Sequence, residues 1–202
     1  MVVSTSKTIL RSSNALLFDI TWETLEKLDE DMAGTGARLT YLDGLLEIMA
    51  PLSDGHETPK KTCAQLIEAY MRSKKICFYA SGRATLGSKA VGARKEPDES
   101  YSLGERKSVP DLAIEITVTS GGIDVLEIYR RIGVPEVWFW EDGVITVYVL
   151  RSPKAQAELP QGYELVRQSE LLPNLDLRSL EFHSRMADQY DAVEAFINTF
   201  QN

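Results

Sequence analysis

Residues 96 to 140 place acidic side chains inside strands that are otherwise apolar. The stretch reads Glu96-Pro97-Asp98, Val109-Pro110-Asp111-Leu-Ala-Ile-Glu115-Ile, Ser120-Gly-Gly-Ile-Asp124 and Gly133-Val-Pro-Glu-Val-Trp-Phe-Trp140. An ionised carboxylate among Val, Leu and Ile must be hydrated, paired or bound to a cation, because its isolated burial is strongly unfavourable. Two such acids converging from neighbouring strands form a nest for a divalent metal. On a mixed fold, such a site points to phosphodiester chemistry.

The rest of the pattern is strands, helix, strands, helix, strands, helix, with no internal repeat. Thr21 to Met32 reads as a short acidic helix. Arg38 to Met49 reads as a hairpin, because Asp43-Gly44 between apolar runs is a strong hairpin signal. From His56 to Lys75, the residues Cys63, Leu66, Ile67, Tyr70 and Met71 recur at helical spacing. Ile76 to Tyr79, parts of Arg83 to Val91, and Val109 to Thr119 read as strands. Asp124-Val-Leu-Glu127 is a capping box, opening a helix through Val125, Ile128, Tyr129 and Ile132 that Gly133 and Pro135 end. Val137 to Trp140 and Val144 to Leu150 form two strands joined by Glu141-Asp-Gly143, and residues 151 to 164 read as a loop. A helix from Ser184 to Phe200 carries Met186, Tyr190, Val193, Ile197 and Phe200 on its inner stripe. The order gives an α/β or α+β fold with one mixed central sheet flanked by helices.

At 202 residues and 44% hydrophobic composition, the chain is sized for one domain. Residues 1–14 are expected to be a flexible lead-in, 15–180 the core and 184–200 the C-terminal helix. Two cysteines, Cys63 and Cys77, fit a reduced, cytoplasmic setting, and with only His56 and His183 a structural zinc site is not expected. No run approaches the roughly 20 apolar residues of a membrane span. The chain reads as soluble, with no membrane partner.

The net charge is -8, yet Lys60 to Lys107 carries +6 and the remainder -14. A footprint for a phosphate backbone is local, so the basic middle keeps nucleic acid among the partners. The alternative is that Lys60, Lys61, Arg72, Lys74 and Lys75 form a solvated helix face.

Taken together, Tyr41-Leu-Asp-Gly-Leu-Leu-Glu-Ile-Met-Ala-Pro51, His56-Glu57, Glu96-Pro97-Asp98, Pro110-Asp-Leu-Ala-Ile-Glu115, Thr119-Ser-Gly-Gly-Ile-Asp124, Tyr129 and Gly133-Val-Pro-Glu-Val-Trp138 resemble the Uma family of restriction endonucleases. That family lies within the PD-(D/E)-x-K nuclease superfamily, and the resemblance spans about residues 15 to 180. It implies a restriction endonuclease-like core, a DNA substrate and a divalent cation, Mg²⁺ or Mn²⁺. The cation is held by an acid from a Pro-Asp unit and a second acid from the next strand, with a lysine assisting the attacking water.

The metal candidates are Glu115, Asp98 and Asp111, in that order. Asp111 and Glu115 are four apart on one strand, roughly 13 Å between Cα atoms. Oxygens sharing one ion lie about 2.1 Å from it, so Asp98 is the better partner of Glu115. Asp111 is left to hold a second ion, orient water, or pair with a basic residue such as Arg106. Glu47 on the hairpin, and His56 or Glu57 at the head of the long helix, are outer candidates. Glu47 facing solvent and His56 making a local hydrogen bond are the structural alternatives. Asp98, Asp111 and Glu115 pairing with Arg83, Arg94 or Arg130 is another.

The lysine departs from the pattern. Two positions after Glu115 stands Thr117, and the position on the next helix that the resemblance assigns to lysine is Val125. Three explanations are open: Lys89, Lys95 or Lys107 substitutes, the metal alone supports slow cleavage, or the chain is a nuclease fold that binds without cutting. In that last class, Val137 to Trp140 is either core or a dimer interface. A homodimer is also expected from symmetry, since one active site addresses one strand.

Overall fold

A computed structural model describes residues 8–11, 14–50, 54–116, 122–156, 159 and 162–200. Its strands are β1 (Thr8–Arg11), β2 (Asn14–Leu17), β3 (Arg38–Leu42), β4 (Leu45–Met49), β5 (Phe78–Ala80), β6 (Leu86–Ser88), β7 (Ala93–Lys95), β8 (Glu99–Leu103), β9 (Leu112–Ile116), β10 (Glu136–Glu141), β11 (Val144–Leu150) and β12 (Tyr163–Val166). Its helices are α1 (Trp22–Asp31), α2 (Asp54–Ser73), α3 (Val125–Ile132), the single turn α4 (Pro153–Gln156), α5 (Leu177–Ser184) and α6 (Gln189–Asn198). The fold is mixed α/β, with two compact units that each contain one six-stranded sheet. Residues 1–7 and 12–13 of the expected lead-in lie outside the described residues.

The first unit comprises Met1–Pro51, Thr85–Glu96 and Thr119–Ile132. Its sheet runs β1-β2-β4-β3-β7-β6, and every pairing is antiparallel. The expected hairpin closes with Leu42 opposite Leu45. Asp43 and Gly44 take φ of 44° and 89°, the two positive angles of the tight turn whose twist suits a hairpin. Thr21 caps α1 by accepting the Thr24 amide at 3.2 Å, and Leu25 then packs against Leu39, Tyr41 and Leu46. A second cluster joins Ile128 of α3 to Ala93 and Ile123. Gly87 is required where it stands, since its φ is 103° and a Cβ there would collide with the Ala93 carbonyl.

The second unit comprises Leu52–Ala84, Pro97–Val118 and Gly133–Asn202. Its mixed sheet runs β12-β11-β10-β9-β8-β5, with β9 and β10 parallel and the other neighbours antiparallel. Leu112, Ile114, Ile116, Trp138 and Val147 join Leu66, Ile67 and Met71 of α2, Leu180 of α5, and Ala192 and Phe196 of α6 in one core. Val137 and Trp138 are fully buried, so that half of the apolar strand packs internally.

Several expected elements shift. The single C-terminal helix is two: α5 ends at Ser184, and α6 begins after Asp188, whose carboxylate accepts the Asp191 amide at 3.0 Å. The inner stripe turns with it, since Tyr190 is 73% exposed whereas Ala192 and Phe196 are buried. The 151–164 loop gives way at its end to β12, which pairs with β11. Strands β7 and β8 had no apolar signal. In β8, the buried polar residue Ser100 donates to the Gly82 carbonyl at 3.0 Å.

Candidate active site

Strand β8 meets β9 with Glu99 opposite Ile114 and Tyr101 opposite Leu112. Just before β8, the Asp98 amide donates to the Ile114 carbonyl at 3.1 Å, and Asp98 Oδ2 accepts the Ile116 amide at 2.8 Å. Asp98 therefore grips β9 on both sides of Glu115. Leu112, Ile114 and Ile116 belong to the core, so strand alternation turns Glu115 and Ala113 to the other face of the sheet. Both acids are buried, with Asp98 3% and Glu115 8% exposed. The sequence reading names these two acids as a metal pair, and the structure sets them on neighbouring segments of one sheet.

Asp111, immediately before β9, is occupied differently. Its Oδ2 accepts the Leu103 amide at 2.7 Å, and Lys107 Nζ reaches its two oxygens at 2.8 and 2.7 Å. Its own amide donates to the Tyr101 carbonyl at 2.9 Å. These bonds close the loop between β8 and β9. Arg106 lies over the Tyr79 ring, 5.2 Å from its centroid, and the basic residue that the structure gives Asp111 is Lys107.

Glu47 belongs to the first unit. It lies on β4 between Leu16 and Thr40, is 4% exposed, and accepts a hydrogen bond from Asn14 Nδ2 at 3.3 Å. It does not face solvent. The backbone of His56 and Glu57 forms the start of α2, but their side chains lie outside the described residues, as does Thr117. Val125 opens α3 and is half-buried, and the amide of Glu127 donates to Asp124 Oδ1 at 3.0 Å, as the capping signal required. Of the lysines that could substitute, Lys89 pairs with Glu23 and Lys107 with Asp111, while Lys95 is buried on β7. Arg94 pairs with Asp29, and Arg130 with Glu127.

Glu136 is a buried acid that the sequence reading left without a role. Its carboxylate accepts from Trp138 Nε1 and Ser169 Oγ at 2.6 Å each, and from the amides of Glu170 and Leu171 at 2.9 and 3.2 Å. It pins the segment after β12 to β10. Its position inside Gly133-Val-Pro-Glu-Val-Trp138 was the available signal, an acid in an apolar strand.

A family model for Uma2, described as "Putative restriction endonuclease", matches residues 22–182. The chain belongs to the Uma2 family. The Uma2 match begins at α1 and ends within α5, so it includes Glu47, Asp98, Asp111, Glu115 and Val125. Membership makes this a chain of the restriction endonuclease-like class, and its mixed α/β architecture agrees. No curated protein matches it.

Among the described residues, no group of three or more His, Cys, Asp and Glu side chains is placed to hold an ion. Asp98 and Glu115 form a pair of hard oxygen donors on adjacent segments. Such a pair suits Mg²⁺, which binds through one or two carboxylates and completes its shell with waters and substrate oxygens. No described helix is long and apolar enough to cross a membrane. Cys63 and Cys77 are both free, and burial pushes the Cys63 thiol up to about 12.

Proposed function

We propose that the chain is a divalent-metal-dependent DNA endonuclease whose rate is limited by valine at position 125. The observation that carries this reading is the double hydrogen bond of Asp98 around Glu115. Bound there, Mg²⁺ or Mn²⁺ would neutralise the scissile phosphate, acidify a water and stabilise charge on the leaving oxygen. Asp98 is oriented by the Ile116 amide, so its carboxylate keeps one direction relative to β9. Glu115 is presented by the central strand, where its backbone is fixed between β8 and β10. Asp111 is committed to the loop, so the pair Asp98 and Glu115 has the leading role.

Val125 has no group that can donate a proton or position hydroxide. Losing one charge-stabilising group typically costs about 10²- to 10³-fold in rate, so slow cleavage is the expected outcome. Incubating supercoiled plasmid with purified protein and Mg²⁺ or Mn²⁺ tests this. The reading expects nicking that Glu115→Ala removes, and unchanged nicking in that variant would sink it.

Val125 also favours a second reading, a nuclease fold that binds nucleic acid or protein without cutting. Substituting Val125→Lys separates the two. A large gain in cleavage means an otherwise intact site, whereas DNA binding with no cleavage in either form means a binding module.

A further inference from the structure

We infer that the outer edge of β5 is a docking surface for the phosphate backbone of duplex DNA; the choice of partner rests on the nuclease reading above. Strand β5 ends the mixed sheet, pairing on one side with β8 through Phe78-Leu103, Tyr79-Ser102 and Ala80-Tyr101. Residues 72–83 include Arg72, Lys74, Lys75 and Arg83 and no acid, in a chain whose net charge is -8. All four are exposed. Arg106, also exposed, adds a fifth cation from a different element.

The rings of β5 hold two of these cations, whereas Lys74 lies over the Phe200 ring and donates to the Phe200 carbonyl at 3.3 Å. Arg72 lies 5.5 Å from the Phe78 ring centroid and Arg106 lies 5.2 Å from that of Tyr79. Phe78 and Tyr79 are successive strand residues and point to opposite faces, so the two guanidinium groups straddle the strand edge. The Lys107–Asp111 pair and the Leu103 amide close the loop that carries Arg106. The nearby acids are Glu105, Glu68, which is 3.8 Å from Arg72, Glu99, whose carboxylate lies beside Gly82 and so next to Arg83, and Asp111, which is paired with Lys107. Guanidinium groups held over ring faces, with exposed ammonium groups beside them, present cations that can neutralise the phosphates of a duplex backbone.

Lys75 supplies an independent indication. It stands at the left-handed position after α2, with φ of 56°. The Ile76 amide bonds the Met71 carbonyl at 2.8 Å, and the Lys75 amide bonds that of Arg72 at 3.1 Å. That arrangement is the helix ending in which glycine is the ordinary residue. A lysine there is conformationally costly, and its exposed ammonium is what glycine would lack.

The test is the salt dependence of binding to a fluorescent 20-base-pair DNA duplex, followed by anisotropy in Ca²⁺ with the full chain. Lys75→Gly and Arg106→Gln should each weaken binding severalfold at about 0.1 M salt and lower the slope of log affinity against log salt by about one. Lys75→Gly should melt no lower than the parent, which separates lost charge from lost fold. Arg178→Gln, on α5, should bind as the parent does. Unchanged affinity and slope in both basic variants would overturn the proposal, as would equal weakening by Arg178→Gln or no binding by the parent chain. Glu115-dependent nicking alongside unchanged slopes would remove the docking surface and leave the nuclease. Reduced slopes alongside nicking that persists in Glu115→Ala would remove the catalytic assignment and leave the surface.

Discussion

Asp98 accepts the amide proton of Ile116 at 2.8 Å, so a side chain from outside the strand completes the hydrogen bonding of β9 next to Glu115. The same carboxylate thus has a structural acceptor role and, in our proposal, a charge role at the metal. The two roles separate by substitution. Asp98→Asn keeps a carbonyl acceptor for Ile116 and removes the charge. It should lower nicking by about 10²-fold or more while shifting stability by less than about 1 kcal/mol. Asp98→Ala leaves a buried amide unpaired and should destabilise by about 1–3 kcal/mol. Urea unfolding beside a plasmid assay reads both. Equal stability loss in the two variants would contradict the division.

Glu127 sets an acid limit on the first unit. Arg130 holds its carboxyl down to about 2, with Arg131 adding to the effect against the opposing burial. A carboxyl lowered on folding adds stability that is present above its unfolded value, about 4.3. That stability is lost as pH falls through 4 towards 2. Thermal melts across that range should fall more steeply for the parent chain than for Glu127→Gln, whose melting point at pH 7 should reflect a loss of about 1–2 kcal/mol. Parallel pH profiles would count against the pairing.

Glu136 should behave as a structural acid. Its carboxylate receives four hydrogen bonds from neutral donors, including the buried Trp138 indole. Glu136→Ala orphans those donors and should cost about 3 kcal/mol or more, with Glu136→Gln intermediate. Denaturant titration measures this. A neutral result for Glu136→Ala would remove the role assigned here.

Much of this arrangement is legible in the sequence. Asp43-Gly44, the α2 stripe and the Asp124 cap each rest on local chemistry, which sequence records directly. The choice of Asp98 over Asp111 as the neighbour of Glu115 rests on strand length; the structure ties Asp98 to β9 beside Glu115 and binds Asp111 to Lys107. The positions of β7, β8 and β12 are not legible, because Ala93–Lys95, Glu99–Leu103 and Tyr163–Val166 owe their strand state to neighbours rather than to an apolar alternation. The break at Arg185–Asp188 was hidden for a similar reason: an Asp cap inside a continuous apolar period is outweighed when spacing alone is counted. The Asp111–Lys107 pair spans a loop, where spacing predicts no contact.

Asp111 acts through the loop it closes. Asp111→Asn should weaken DNA binding by no more than Arg106→Gln does, and the double variant should match the worse single one, because both remove the same guanidinium from its place. Anisotropy in Ca²⁺ checks this non-additivity. Additive losses would mean that Asp111 touches the ligand side independently.

The central claim is that Asp98 and Glu115 together hold one divalent cation. Titrating Mn²⁺ into the parent chain and into Asp98→Asn and Glu115→Gln, with bound ion followed by electron paramagnetic resonance, addresses it without relying on catalysis. The account predicts one site in the parent, weakened at least about tenfold in each variant and absent when both are combined. Identical Mn²⁺ binding in all four proteins would contradict it.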